Sequence, residues 1–377
     1  MVDRSRLIRL LQKLISIDSQ NPDSTEERIA RFAADYLSKL GLKPRLVEFK
    51  KGRSNLIVTL KGGGKGKRGS LLISPHLDTV PAGSSWSFPP FAGTLSGGRI
   101  YGLGSTDCKG NLACAIEVMN SLIEDKRELA FDLILAATAD EESGSGQGLI
   151  PLLKKDILRP DAALILDADD FAIVITQKGL VHLRVKIKGK KAHGAYPWLG
   201  RNAINIAVDI LKDLKETRFK ARKNNYLRAP TVNIGTIRGG DKVNVVADHC
   251  EFELDFRFLP GQSDKEILKG LRKLVRKYSR DFKIELDGVQ APYYIGETHP
   301  LVRYLKGSMK KCGIKPEVKG SEGATVITFF QEKGIPAIAT GFGCGGMAHM
   351  ADEYAKVGDL YRGAIVLERF LEEYRFE

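Results

Sequence analysis

The sequence lacks long apolar runs, and its few cysteines are not arranged in pairs. No uninterrupted apolar stretch approaches the roughly 20 residues that a membrane span requires. The N-terminal segment MVDRSRLIRLLQKLISIDSQNP carries charges throughout, which predicts an amphipathic helix rather than a signal peptide. We therefore expect a cytoplasmic protein that does not enter a membrane. The five cysteines show no paired spacing, which indicates neither a disulfide framework nor a cysteine-based zinc site.

The charge balance is basic, but the basic residues do not form a separate segment. The 59 basic and 46 acidic residues give a net charge of +13 and are intermixed along the chain. Because no recognised nucleic-acid-binding motif accompanies this charge, we do not expect a nucleic-acid partner. The excess could favour small anionic substrates or keep the protein soluble. At 377 residues the chain exceeds the usual size of a single core, so two domains are expected.

The first 176 residues alternate between helical patterns and short apolar runs. The segment from Ser24 to Leu40 has helical periodicity and opens with STEE, which resembles a capping box. The glycine-rich stretch KGGGKGKRG, residues 61–69, is typical of an exposed turn. The runs SLLISPHLD, FDLILAATA and AALILDA indicate buried strands. This alternation predicts an α/β domain with a mainly parallel sheet.

The middle of the chain has a different pattern. Residues 177–290 contain half-exposed strands and two amphipathic helices in the order β-α-β-β-α-β, which predicts a ferredoxin-like insert. The α/β pattern then resumes over residues 291–377. We therefore expect a core domain, residues 1–176 and 291–377, interrupted by a smaller domain.

Polar side chains follow each predicted buried strand. The first strand is followed by His76 and Asp78, the second by Asp140, Glu141 and Glu142, and the third by Asp167, Asp169 and Asp170. Asp107 lies in a predicted loop just before a helix, and His349 follows a glycine-rich turn after a late strand. Each residue alone has an ordinary structural explanation, such as a helix cap or a solvated strand end. Together they converge on one edge of the sheet, where α/β proteins form their sites. Imidazoles and carboxylates in one cluster suit Zn²⁺, Co²⁺ or Mn²⁺, and a cation would relieve the repulsion between the carboxylates.

Six strings in this sequence resemble the ordered motifs of a known family. They are SPHLDTVP, GLGSTDCKGNLA, TADEESGSGQG, GKKAHGAYPWLGRNAI, VNVVADHCEFELDFRFLPG and GMAHMADEYAKV. The family is that of the di-zinc amidohydrolases, which includes acetylornithine deacetylase, succinyl-diaminopimelate desuccinylase, aminoacylase and carboxypeptidase G. The resemblance extends over residues 7 to 375. It implies a zinc-exopeptidase-like catalytic domain interrupted by a ferredoxin-like lid and dimerisation domain, and therefore a homodimer.

The resemblance also implies roles for the clustered residues. His76 would bind the first metal, Asp107 would bridge both metals, and Glu142 and His349 would bind the second. Many relatives carry a glutamate in a Gly-Glu-Pro context for the fifth ligand. Here Asp167 aligns best, with Asp169 as the alternative. A shorter carboxylate could alter metal preference, so zinc is expected with cobalt or manganese as alternatives.

The remaining expected roles concern the chemistry. Asp78 would orient His76. Two metals sharing a bridging water would lower its pKa, and Glu141 would act as the general base. His193 would supply a hydrogen bond to the oxyanion, and in dimeric relatives it reaches the partner's site. The expected substrate contacts are Asn244, Arg257 and Gly323. Asp140 is interpreted as an ordinary strand-end carboxylate.

These roles predict hydrolysis of an amide bond in a small carboxylate-bearing substrate. The leading prediction is an N-acyl-L-amino acid deacylase of the deacetylase or desuccinylase type. A dipeptidase or carboxypeptidase using the same two-metal site is the alternative. A non-catalytic metal-binding or assembly protein is disfavoured, because the base and all ligand candidates are present. The acyl group and the amino acid cannot be predicted from the sequence, since a few pocket contacts decide them.

Overall fold

A computed structural model of the chain describes residues 1–63, 69–217, 219 and 221–377. Residues 64–68, in the predicted exposed turn, lie outside the described residues. The chain divides into two compact units. The first comprises Met1–Ile175, Ile295–Lys319 and Phe329–Glu377, and the second comprises Thr176–Tyr294 and Gly320–Thr328.

The helices and strands follow the predicted alternation. The helices are α1 (Arg4–Ile15), α2 (Glu27–Lys39), α3 (Lys109–Glu124), α4 (Leu149–Lys154), α5 (Ala203–Glu216), α6 (Asp264–Arg276), α7 (Pro300–Lys311), α8 (Ile327–Gln331) and α9 (Val357–Glu373). The strands are β1 (Arg45–Glu48), β2 (Ser54–Leu60), β3 (Ser70–Ser74), β4 (Thr94–Ser96), β5 (Arg99–Tyr101), β6 (Asp132–Ala137), β7 (Ala162–Leu166), β8 (Ala172–Gln177), β9 (Gly179–Lys188), β10 (Thr231–Gly239), β11 (His249–Phe258), β12 (Phe282–Gln290), β13 (Tyr293–Tyr294), β14 (Glu317–Ser321), β15 (Ala337–Thr340) and β16 (Tyr354–Lys356).

A mixed sheet forms the centre of the first unit, in the order β1-β2-β6-β3-β7-β15-β8. The four strands β6, β3, β7 and β15 are parallel to one another. β2 and β8 pair with this parallel core in the antiparallel direction. The central strands are almost wholly apolar and buried, as expected where helices cover both faces of a sheet. The predicted α/β fold is confirmed, with parallel pairing in the centre and antiparallel pairing outside it.

The second unit contains a four-stranded antiparallel sheet. Its elements follow one another as β9-α5-β10-β11-α6-β12, and its strands are ordered β10-β11-β9-β12 in space. One face of β9 and β11 packs on the helices, because alternate residues along both strands are buried. Leu183 and Phe252 meet Ile210 of α5 and Leu271 of α6 in this core.

Two local elements differ from the sequence prediction. α2 begins at Glu27, and no side chain caps it. The expected capping box does not form because α2 begins three residues after Ser24; the N-cap is Glu26, whose carboxylate accepts a hydrogen bond from Arg53 instead. α8 covers only Ile327–Gln331, a shorter helix than the one that the segment ATVITFFQEKG, residues 324–334, indicates from the sequence. Among the helices that the structure describes, none is both long and apolar enough to cross a bilayer.

Candidate metal centre

Two neighbouring parallel strands deliver the first polar residues of the site. Beyond the regular ends of β3 and β6, His76 pairs with Thr138 in an isolated parallel bridge. The N–H of Leu77 donates to the carbonyl of Thr138 over 2.8 Å. The segments that carry His76 and the Glu141–Glu142 pair therefore leave the sheet side by side.

Asp107 lies between two imidazoles. Its Oδ1 is 2.8 Å from Nε2 of His76, and its Oδ2 is 3.3 Å from Nε2 of His349. The same His349 nitrogen is 3.1 Å from Oε1 of Glu142. Burial alone would raise the pKa of Asp107, but hydrogen bonds from His349 and His76 outweigh it and hold that pKa below its usual range. The two oxygens of one carboxylate thus face two different histidines, as a ligand bridging two cations would.

The ring of His76 is oriented by a backbone group. Its Nδ1 lies 3.0 Å from the carbonyl oxygen of Asp78 and 3.5 Å from Oδ1 of the same residue. A carbonyl can only accept, so Nδ1 carries the proton in the neutral ring. Nε2, which faces Asp107, is then the nitrogen that could bind a metal in place of a proton.

The carboxylate of Asp78 holds the turn that follows β6. Its Oδ1 accepts the N–H of Glu141, and its Oδ2 accepts the N–H of Glu142, each over 3.1 Å. Asp78 is fully buried, so these bonds are protected from water. We predicted from the sequence that Asp78 orients His76; in the structure the carbonyl of Asp78 lies closer to His76 than its carboxylate does, and the carboxylate fixes the two glutamates.

Glu141 differs from its neighbour Glu142 in having a carboxylate without a hydrogen bond to any of the described residues. One of its oxygens groups with His76 and Asp167, with the three candidate ligand atoms within 4.8 Å of one another. Burial, reinforced by the negative charge of Asp167, raises the pKa of Glu141 to about 8. A carboxylate with a raised pKa and no fixed partner is suited to proton transfer.

Of the two candidates for the fifth ligand, Asp167 is the one that lies beside His76. Its Oδ1 is 3.8 Å from Nε2 of His76, and burial together with the charge of Asp107 raises its pKa to about 7. Asp169 follows two residues later and pairs through its backbone with Gly343. It belongs to none of the ligand groups found in the described part of the chain.

The donor set fits two divalent cations. One group comprises His76, Asp107 and Glu142, and the other His76, Glu141 and Asp167, each with its ligand atoms within 4.8 Å. Two imidazoles and several carboxylates suit Zn²⁺ and related ions. Burial, together with the repulsion between neighbouring carboxylates, raises the pKa values of Glu141 and Asp167, and bound cations would relieve that repulsion.

The other predicted site residues belong to the second unit. His193 and Asn244 are adjacent there, since His193 pairs with Val245 and the N–H of Gly194 donates to the carbonyl of Asn244 over 2.8 Å. The guanidinium of Arg257 donates to both oxygens of Asp255, over 2.8 and 3.0 Å. Gly323 is exposed, and its carbonyl accepts the hydroxyl of Ser321.

Four buried polar residues that support the site were not singled out from the sequence. Asn21, Glu26 and Arg53 lie behind the turn that carries the two glutamates, and Glu353 lies behind the loop that carries Asp107. The quoted string GMAHMADEYAKV contains Glu353, four residues after His349. Glu26 belongs to the STEE string but was not predicted to support the site, and Asn21 and Arg53 belong to no motif; their burial in the fold identifies all three.

Comparisons with known proteins find relatives that match most of the chain. The sequence profile of Peptidase family M20/M25/M40 matches residues 72–373. The acetylornithine deacetylase of Vibrio cholerae serotype O1 is 30% identical over 374 residues, covering 96% of this chain and 95% of that protein. The crystal structure of aminopeptidase PepT from Bacillus cereus superposes with a TM-score of 0.83 at 22% identity, covering 99% of each chain. The M20 family metallo-carboxypeptidase Sso-CP2 of Sulfolobus solfataricus gives 0.77 at 24% identity, covering 97% of this chain and 98% of that one.

Proposed function

This chain belongs to peptidase family M20/M25/M40, and on that basis we propose that it hydrolyses the amide bond of a small N-acyl-L-amino acid. It is a metal-dependent amidohydrolase, as the family and the relatives at 30% identity establish. The position of Asp107 between His76 and His349 is the observation that carries the proposal, together with the nearby carboxylate of Glu141, which makes no hydrogen bond within the described residues.

Five side chains would hold the two metal ions. They are His76 and Asp167 for one ion, Glu142 and His349 for the other, and Asp107 for both. Zinc is the ion that this set favours, and cobalt or manganese are the alternatives. When bound, two such ions lower the pKa of a shared water and polarise the amide carbonyl.

Glu141 would transfer the proton from the attacking water to the leaving group. Its carboxylate is near the ligand groups but makes no hydrogen bond within the described residues, so it can accept a proton from water and deliver it to the departing amine nitrogen. Cations that neutralise Asp167 and Asp107 would lower the pKa of Glu141 from about 8, which makes it a base at neutral pH.

His193 would stabilise the oxyanion as a hydrogen-bond donor. Its Nδ1 accepts the N–H of Ala195 over 3.1 Å, so in the neutral ring the proton resides on Nε2. The side chain is exposed, which leaves Nε2–H available to a group outside its own loop. We assign this donor to the active site of a partner subunit in a homodimer.

The substrate carboxylate would meet Asn244, Arg257 and Gly323. An arginine fork binds a carboxylate through two parallel hydrogen bonds, and Arg257 already binds Asp255 in that way. A substrate carboxylate would replace or share this partner. The relative that acts on acetylornithine supports an N-acyl amino acid over a peptide.

The test is a screen of the zinc-loaded protein against N-acetyl- and N-succinyl-amino acids and dipeptides, measured as release of primary amine. We expect turnover of the acylated amino acids, and Glu141→Gln should lower kcat at least ~100-fold. Calorimetric titration should show that this variant still binds two zinc ions. Turnover of dipeptides alone would refute the proposed substrate class, and a Glu141→Gln variant with wild-type kcat would refute the base.

A further inference from the structure

We propose that Asn21 and Arg53 are positioning residues that hold the Asp140–Glu142 turn, so that Glu142 faces the metal site while Glu141 stays free. The inference rests on the proposed function in taking Glu141 as the base. Within the described residues, neither side chain makes a hydrogen bond or ion pair with a candidate metal ligand. They would act through Asp78 and Asp140.

Asn21 joins the two carboxylates that define the turn. Its side-chain N–H group donates to Oδ2 of Asp78 over 3.1 Å and to Oδ1 of Asp140 over 3.2 Å. Asp78 in turn accepts the backbone N–H groups of Glu141 and Glu142. One amide therefore connects the first residue of the turn to the carboxylate that anchors the next two.

Arg53 fixes Asn21 and Asp140 from the other side. Its Nη2 donates to Oδ1 of Asn21 and lies 3.5 Å from Oδ1 of Asp140. Its Nη1 donates to Oε1 of Glu26 over 2.7 Å, and that oxygen also accepts the N–H of Asp140 over 3.1 Å. The guanidinium thus orients the amide of Asn21, so that its oxygen faces Arg53 and its N–H group faces the carboxylates.

The turn needs such support because its backbone is strained. Asp140 has φ of 62°, in the left-handed region that few residues other than glycine adopt. Its side chain is held by Asn21 and by the N–H of Gln147, and its own N–H by Glu26. Without these bonds, the preferred conformation of an aspartate would rotate the following two residues away from their present directions.

The charges around Arg53 also support its role as a positioning residue. Glu26, Asp78 and Asp140 are each less than a tenth exposed and lie in one cluster. Within the described parts of the chain, Arg53 is the only arginine or lysine that pairs with any of them. Buried carboxylates without a cation repel one another, so Arg53 keeps Asp140 close to Asn21.

The decisive variant is Asn21→Ala, because it cuts the link to Asp78 and Asp140 while keeping the pair of Arg53 with Glu26. We expect kcat to fall about 10- to 100-fold with KM changed less than about 2-fold, and one of the two zinc affinities to weaken about 10-fold. Asn120→Ala is the matched control. It removes a buried asparagine from α3 that lies 3.3 Å from the hydroxyl of Tyr36, away from the metal centre.

Arg53→Met and Arg53→Lys extend the test. The methionine variant should show the same loss of kcat as Asn21→Ala. The lysine variant keeps the positive charge but lacks the planar guanidinium group, so it should retain part of the kcat that the methionine variant loses. Arg6→Met is the control, since Arg6 binds the buried Glu117 outside the site. If Arg53→Met does not fold, Asn21→Ala still decides the question.

Wild-type kcat and zinc affinity in Asn21→Ala would overturn the inference, as would equal losses in Asn120→Ala. A wild-type protein that releases no amine from any N-acyl amino acid would instead refute the proposed function. Zinc titration of Asn21→Ala would still test the positioning in that case, because the readout does not depend on the substrate.

Discussion

Glu353 should control how tightly the protein binds zinc, because it holds the loop that carries Asp107 without belonging to that loop. Its Oε1 accepts the N–H groups of Thr106 and Asp107, over 2.8 and 3.0 Å, and its Oε2 accepts the N–H of Gly104 over 2.8 Å. The side chain is 1% exposed, so water cannot replace these bonds. Glu353 therefore fixes the backbone at the residue that we assign as the bridging ligand.

The size of the loss expected on replacing Glu353 follows from the number of hydrogen bonds that its carboxylate accepts. Glu353→Ala leaves three buried N–H groups without an acceptor, at about 1–3 kcal/mol each, which approaches the whole stability of many domains. Glu353→Gln keeps one acceptor oxygen and turns an amide N–H group toward at least one donor. We expect the glutamine variant to lose about 1–3 kcal/mol of unfolding free energy and to bind zinc about 10- to 100-fold more weakly.

The assay combines urea unfolding with zinc calorimetry at pH about 8, because burial raises the pKa of Glu353 to about 7 and the carboxylate must be ionised. Glu368→Gln is the control: Glu368 is a buried carboxylate on α9 that accepts the hydroxyl of Ser121 over 2.5 Å, outside the metal centre. The control should lose stability but keep its zinc affinity. If Glu353→Gln binds zinc like the wild type, or the control weakens equally, the argument from backbone positioning is wrong.

Two further predictions concern the ligand and the partner subunit. Asp167→Asn should reduce zinc stoichiometry from two to one by calorimetry, whereas Asp169→Asn should keep it at two; the opposite result would reassign the fifth ligand. His193→Ala should lower kcat about 100-fold. Mixing that inactive variant with inactive Glu141→Gln and allowing subunits to exchange should restore about a quarter of wild-type activity, because each mixed dimer has one complete site. If activity does not recover after verified exchange, the idea that the partner supplies the histidine is refuted.

The predictable part of the fold is the part with a clear hydrophobic pattern in the sequence. The buried apolar runs of β3, β6 and β7 indicated their strands, since such runs are typical of the centre of an α/β sheet. The three-stranded sheet of β4, β5 and β16 was missed, because strands of three residues are too short to show alternation. Strand direction was also hidden: β2 reads like its parallel neighbours but pairs with β6 in the antiparallel sense.

The site, like the fold, has a part that could be predicted from the sequence and a part that could not. Residues at strand ends could be grouped in advance, because the carboxyl ends of parallel strands meet at one edge of a sheet. The residues behind them could not, since Asn21 and Arg53 lie on segments distant in sequence from Asp140 and meet it only through folding. Asp140 itself was interpreted as an ordinary strand-end carboxylate, but the structure makes it the strained first residue of the turn.

The adjacency of Glu141 and Glu142 follows from this turn. Asp78 accepts two consecutive N–H groups with its two oxygens, which fixes the backbone of both glutamates as a unit. From that fixed backbone one side chain reaches His349, while the other groups with His76 and Asp167. Because Asp78 also contacts His76 through its carbonyl, one buried residue sets the positions of the proposed metal ligand that follows β3 and of the proposed base and ligand that follow β6. A shift of that residue would therefore disturb binding and proton transfer together, which is why the residues that hold it should matter as much as those that touch the metals.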